Sequence, residues 1–190
     1  MSIRSIALAT AVIAFSVQAL SARVDVRVDF DKSFNFKAVR TWGWHPDGRG
    51  EVKMARTQID DPAAMTKAAE PPIVDAVTTE MKRLGLPQAP SDPDLTVHYY
   101  LLLTTNQSAQ TIGQFLPSTM AWGLPLFPQA TQSIKVLNQG ALVIDLSAKG
   151  AVVWRGVAQA EIKPDMEFKK REALLREGVR DLLKRYPPKP

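Results

Sequence analysis

Two stretches of alternating apolar and polar residues flank a short polar turn within residues 139–162. Apolar side chains occupy every second position of 142–146, and small or apolar residues do so in 152–160. Alternation with a period of two on both sides of a turn is typical of an antiparallel hairpin, and Gly150 can adopt the positive φ that such a turn requires. Both faces of the first strand are apolar near its middle, so we expect it to be a central strand of a sheet.

The same patterns predict three further strands and two helices. Alternating residues indicate strands, whereas apolar residues repeating every three to four positions indicate helices. Gly85 follows the first helix directly, and Asp165 is a suitable N-cap for the second. Residues 46–72 contain many turn-forming residues and are expected to be a connection. The predicted strands are 24–30, 39–44 and 95–103, and the predicted helices are 72–84 and 166–186.

The order of these elements, β-β-α-β-β-β-α, defines the expected fold class. We predict an α+β two-layer sandwich, in which a mainly antiparallel sheet of about five strands carries two helices on one face. The chain has 190 residues, of which 45% are hydrophobic, which suffices for one domain with a proper core. A single domain is therefore expected over residues 23–190.

Residues 1–22 have the pattern of a secretory signal peptide. Arg4 precedes an apolar run at 6–17, and small residues follow at positions 19, 21 and 22, so cleavage is expected between residues 19 and 22. A retained N-terminal anchor is the alternative, but the apolar run is short and contains polar residues. If the source is bacterial, this leader predicts a periplasmic protein that is soluble or peripherally attached to the envelope. We expect no transmembrane helix in the mature chain.

Composition narrows the range of functions. The formal net charge of +5 is modest, and basic residues are interspersed with acidic ones, which argues against nucleic-acid binding. The chain contains no cysteine, which excludes disulfides, thiolate metal sites and thiol catalysis. We expect no bound cofactor.

The candidate contacts to a ligand or partner are aromatic. Trp42 and Trp44 share one face of a predicted strand, where they either stack a ligand or close the end of the core. The segment 104–132 contains no charged residue and has neither a helical nor a strand period, and it carries Phe115, Trp122 and Phe127. Either this long loop folds back over the core, or it offers an apolar patch to an envelope protein or a lipid.

Evidence for catalysis is weak. Asp25 and Asp29 lie on the polar face of a predicted strand, and His98 has no acidic partner that the sequence identifies. Hydrolase motifs such as Gly-x-Ser-x-Gly and HExxH do not occur. We therefore expect a non-enzymatic binding or scaffolding protein without catalytic or metal-binding residues. The alternatives are a small-molecule or lipid-binding module, with Trp154 joining the two earlier tryptophans in a pocket, and a hydrolase.

Several stretches together resemble a known family. They are VRVDFD at 26–31, FNFKAVRTWGW at 34–44, DPDLTVHY at 92–99 and GALVIDLSAKGAVVWRGV at 140–157, followed by a terminal helix that ends at Tyr186. In this order they resemble the domain-of-unknown-function 4136 family of bacterial envelope proteins. The resemblance implies a small α+β domain, commonly a lipoprotein, and supplies no catalytic residues. No cysteine follows the leader of this chain, so attachment through a lipid on that residue is not expected.

Overall fold

The computed structural model describes residues 24–55, 62–104, 110–111, 135–136, 139–162 and 166–189. Within these ranges the chain forms strands and two long helices, with a 3₁₀ turn at Phe36–Ala38. The elements in chain order are β1 (Asp25–Phe30), β2 (Trp42–Trp44), β3 (Gly50–Ala55), α1 (Pro62–Arg83), β4 (Leu95–Thr104), β5 (Gln110–Thr111), β6 (Lys135–Val136), β7 (Gln139–Ala148), β8 (Ala151–Glu161) and α2 (Phe168–Leu183).

Six of the strands form one mixed sheet in the order β1-β8-β7-β4-β2, and β3 pairs with the same strand, β4, beyond the end of β2. The pairs β1–β8, β7–β8 and β4–β7 are antiparallel, whereas β2 and β3 run parallel to β4. The parallel pairs arise because α1 carries the chain from β3 back to the start of β4, as a parallel crossover requires. The predicted α+β class is confirmed.

The predicted hairpin is the centre of this sheet. β7 lies between β8 and β4, as expected for a strand that is apolar on both faces. The turn consists of Lys149 with φ 50° and Gly150 with φ 79°, the pair of positive values that a two-residue type I′ turn needs. The register shifts between Leu146 and Ser147, where β8 contributes one additional residue.

The region 46–72 differs from the predicted connection. It contains β3, and α1 begins at Pro62 with Pro71 and Pro72 inside it rather than at its first turn. The buried residues Ala69, Ile73 and Val77 recur every four positions along α1, so one apolar face continues across the prolines. Packing of this face against the sheet therefore outweighs the unfavourable helix propensity of proline, about 3 kcal/mol per residue.

Both helices pack on one face of the sheet, which produces the expected two layers. α1 contacts α2, and both contribute to a core cluster with alternate residues of β4, β7 and β8. Fully buried members of this cluster are Ile73, Val77, Met81, Tyr99, Ile144, Trp154, Val179 and Leu182. Within the described ranges, neither helix has the length and apolar composition needed to cross a bilayer.

Gly156 gives a test of this packing. A Cβ at this position would lie 2.5 Å from the Trp154 ring and 2.7 Å from a Leu182 methyl group. We expect Gly156→Ala to lower the free energy of unfolding by about 1–3 kcal/mol, because one of these buried side chains must move.

Gly178→Ala is the matched control for this substitution. Its Cβ would lie 3.3 Å from the Ala158 Cβ, and alanine improves helix propensity by about 1 kcal/mol. We expect the control to remain within about 1 kcal/mol of the parent in urea unfolding. Equal stability of Gly156→Ala and the parent would contradict this account of the helix–sheet contact.

Candidate functional site

The two tryptophans proposed as ligand contacts occupy different environments. Trp42 belongs to the core and is only 1% exposed, whereas Trp44 is half-buried. Their rings meet edge to face at 5.4 Å, and the Arg49 guanidinium lies 5.9 Å from the Trp44 ring centre. Trp44 is therefore the member of this pair that a ligand could reach. Phe115, Trp122 and Phe127 lie outside the described residues.

Trp154 also belongs to the core. It is fully buried on the helix side of β8, and its ring meets that of Tyr186 at 6.3 Å. With Trp42 and Trp154 both buried, the three tryptophans do not line one open pocket, and their main contribution in the described structure is apolar packing.

The opposite face of the sheet carries a row of polar residues that the sequence analysis did not assemble. His98 on β4 is paired with Asp145 on β7, which is paired with Arg155 on β8. Arg155 is in turn paired with Asp29 on β1. Four polar or charged side chains on four adjacent strands thus share one row, which we call the cross-sheet row.

Asp145 and Arg155 form a bidentate ion pair at the centre of the cross-sheet row. The Arg155 Nε and Nη2 donate to the two Asp145 carboxylate oxygens, each at 2.7 Å. The Asp145 side chain is 0% exposed and the Arg155 side chain is 3% exposed. Burial alone lowers the pKa of Arg155, but the charge and hydrogen bonds of Asp145 raise it above its ordinary value. Arg155 therefore remains charged and binds Asp145 through both carboxylate oxygens.

Asp29 extends the cross-sheet row to the outer strand. Its Oδ1 accepts a hydrogen bond from the Phe30 amide at 3.0 Å, and its Oδ2 is buried without a hydrogen-bond partner among the residues that the structure describes. Burial raises the pKa of Asp29 above its ordinary value, although the Phe30 amide and the Arg155 charge oppose this shift. Asp29 therefore takes up a proton more readily than an exposed aspartate does.

His98 occupies the other end of the row. Its Nδ1 lies 3.0 Å from the Gly48 carbonyl oxygen, so Nδ1 carries the hydrogen and donates. The ring is 5.5 Å from that of His45 and 4.7 Å from that of Tyr100. Burial disfavours the charged form of both rings. It therefore lowers the pKa of His98 below its ordinary value and raises the pKa of Tyr100 above its ordinary value. His98 is consequently neutral at physiological pH.

The contacts of the cross-sheet row are those of a structural ion pair rather than those of an acid–base catalytic site. Asp145, the acid in register with His98, is already bound on both oxygens by Arg155. Among the residues that the structure describes, there is no group of three or more histidine, aspartate or glutamate side chains positioned to hold a metal ion. The ion pair ties β7 to β8, and the charge of Arg155 also acts on Asp29 of β1.

Sequence reasoning could have found part of this row. Asp145 interrupts an apolar strand, and Arg155 interrupts the strand that follows the turn. Counting outward from Lys149 and Gly150 brings the two close together, although the one-residue bulge must also be included. Asp29 and His98 offer no such signal, since their neighbours come from distant parts of the chain.

Comparison with known proteins identifies the family. The model of the DUF4136 family, a domain of unknown function, matches residues 26–188, so the chain belongs to this family. No protein with a curated description matches the sequence.

Solved structures share the fold. A DUF4136 family protein from Bacteroides thetaiotaomicron is 15% identical, with a TM-score of 0.52, and the match covers 86% of this chain and 96% of that one. A PDZ domain protein from Parabacteroides distasonis is 13% identical, with a TM-score of 0.50, and the match covers 90% of this chain and 38% of that one. At these identities the likeness concerns the fold alone.

Removing one member of the central ion pair tests its structural role. We expect Asp145→Ala to cost about 3–5 kcal/mol, because it leaves the Arg155 charge buried without its partner. The double variant Asp145→Leu with Arg155→Met removes both charges and should be more stable than the single variant. Urea unfolding measures the free energy of unfolding of both the single and the double variant. A loss below about 1 kcal/mol for Asp145→Ala would contradict the assignment.

His98 predicts a pH dependence of stability. Its lowered pKa means that the unfolded chain binds the proton more tightly than the folded chain does. Stability should therefore fall as the pH is lowered from about 6.5 toward the pKa of the folded state. We expect His98→Gln to show a flatter dependence than the parent in this window, measured by urea unfolding at several pH values. The prediction would be refuted if the free energy of unfolding changed equally with pH in the parent and in His98→Gln.

Proposed function

We propose that this member of the DUF4136 family is a non-catalytic binding or scaffolding protein of the bacterial cell envelope. Residues 1–22 have the positive, apolar and small-residue regions of a secretory leader, which supports export to the periplasm. We infer that the exported domain is soluble or peripherally attached to the envelope.

One observation carries the binding role. The short strands β5 and β6 pair in antiparallel fashion, with Gln110 opposite Val136 and Thr111 opposite Lys135. They bracket residues 112–134, and β6 contacts β7 of the main sheet. The ladder therefore joins the two ends of this segment beside the sheet.

The sequence of the bracketed segment suggests its partner. Residues 112–134 contain no charged side chain but include Phe115, Trp122 and Phe127. A disordered linker is normally polar and charged, whereas an uncharged aromatic segment favours contact with another apolar surface. An envelope protein or a lipid is accordingly the partner class we propose for the segment 104–132.

The described ion pairs favour binding over catalysis. Asp145, the buried acid of the cross-sheet row, is held by Arg155 through two hydrogen bonds. A general acid or base must instead exchange its proton with a substrate at a reachable site. Asp145 and Arg155 instead hold the two central strands together, which supports the proposed non-catalytic role.

Photo-crosslinking from position 122 in intact cells tests the proposal. A photoreactive residue at position 122 should give a discrete adduct, because the proposed contact surrounds this side chain. Position 168 is the matched control, since Phe168 is an aromatic residue of α2 that is 60% exposed and far from the segment in sequence. We expect little or no adduct there.

The nature of the adduct decides the partner. A protein adduct would support a scaffolding role, and a lipid adduct would support attachment to a membrane surface. The proposal fails if position 122 gives no adduct and Trp122 is protected from acrylamide. That protection is measured as the difference in fluorescence quenching between the parent and Trp122→Phe.

A further inference from the structure

The outer edge of β1 presents unpaired backbone groups. The Asp31 amide donates to the Val153 carbonyl at 2.8 Å, which fixes the odd-numbered residues of β1 as those bonded to β8. The amides and carbonyls of Val26 and Val28 therefore point away from the sheet. In the part of the chain that the structure describes, they have no hydrogen-bond partner.

The part of the opposite edge that β2 forms is different. The Trp42 amide on β2 donates to the Pro87 carbonyl at 3.1 Å, and the Ala89 amide donates to the Trp42 carbonyl at 2.8 Å. The segment after α1 thus satisfies the outward groups of β2. An exposed strand edge of the β1 kind is a template for pairing with another strand.

Apolar and charged side chains alternate along β1. Val24, Val26 and Val28 are half-buried on the helix side. Asp25 and Arg27 lie on the other side with 65% and 61% of their side chains exposed, 3.7 Å apart. An exposed pair of this kind contributes little to stability within one chain.

We propose that β1 pairs in antiparallel fashion with β1 of a second copy of this chain, about a two-fold axis at Val26. In this register the outward amide and carbonyl groups of Val26 bond those of the Val26 in the second copy. Val24 lies opposite Val28, and each Asp25 lies opposite an Arg27. The two six-stranded sheets become one continuous sheet.

Charge complementarity selects this register. A continuous sheet needs residues of the same face opposite each other, so the axis must pass through a residue. An axis at Arg27 would place two Arg27 side chains together and Asp25 against Asp29. An axis at Val28 would place Asp25 against Asp31, and it would place Arg27 against Asp29, which already interacts with Arg155 and the Phe30 amide. Like charges directly opposite are destabilising, whereas opposite charges stabilise by about 0.2–1 kcal/mol per pair.

The surface beside β1 leaves space for a second copy. A groove of about 300 Å³ lies between β1 and the end of α2. Its lining residues are Val24, Asp25, Val26, Asp181, Lys184 and Arg185. Two acidic and two basic residues balance one another there, so the symmetric approach of an identical surface meets no net repulsion. None of the residues in this proposed contact belongs to the segment 112–134, and the proposal does not use what that segment binds.

Charge reversal tests the register. The full chain should show a concentration-dependent dimer in sedimentation equilibrium. Arg27→Glu places an acid opposite each Asp25 and should weaken dimerisation about tenfold or more, because two attractive pairs become repulsive. The double variant Asp25→Arg with Arg27→Glu restores opposite charges and should recover an affinity within about threefold of the parent. Both side chains are exposed, so thermal melting should change little.

Val26→Pro tests the strand edge itself. It removes an amide that points away from β8, which an edge strand tolerates, and should yield a folded monomer with a modest loss of stability, because Val26 is half-buried against the core. Hydrogen exchange at the Val26 and Val28 amides in the parent should slow as protein concentration rises. A parent that stays monomeric at every concentration, or a dimer indifferent to both Arg27→Glu and Val26→Pro, would overturn the proposal.

Discussion

The buried ion pair between Asp145 and Arg155 is the constraint on which the rest of the sheet depends. It joins the two central strands at a point where both side chains are nearly inaccessible to water. A slip of one residue in the hairpin would bury two charges without partners, at a cost of several kcal/mol. The pair therefore sets the hairpin register, and the hairpin sets the positions of β1 on one side and β4 on the other.

The helix side of the same hairpin depends on small residues. Gly156 leaves room for the Trp154 ring and for Leu182 of α2, and Gly178 brings α2 close to Ala158. The ion pair on one face of the sheet and the close helix packing on the other face thus both involve the strands β7 and β8. The first specifies which residues are opposite each other, and the second specifies how closely the helix layer approaches.

The two edges and one end of the sheet differ in the groups that they present. The β2 edge is satisfied by residues 87–89, whereas the β1 edge keeps outward backbone groups. At the end where β4 finishes and β7 begins, the ladder of β5 and β6 brackets an uncharged aromatic segment. The proposed self-association through β1 and the proposed binding through the bracketed segment involve different residues of the chain. Such a division would suit a family member that acts by assembling with other molecules.

The sequence by itself determined the elements whose patterns are local. The hairpin, β1, β4 and the amphipathic part of both helices follow from periodicity, because side-chain direction repeats with a known period in each. The family followed from motifs spread along the chain. Only the tertiary structure decided that α1 continues through Pro71 and Pro72, since packing of the apolar face that includes Ala69, Ile73 and Val77 outweighs the local penalty. Likewise, β3 and the cross-sheet row depend on pairing between distant residues such as Asp29 and Arg155, which no local pattern encodes.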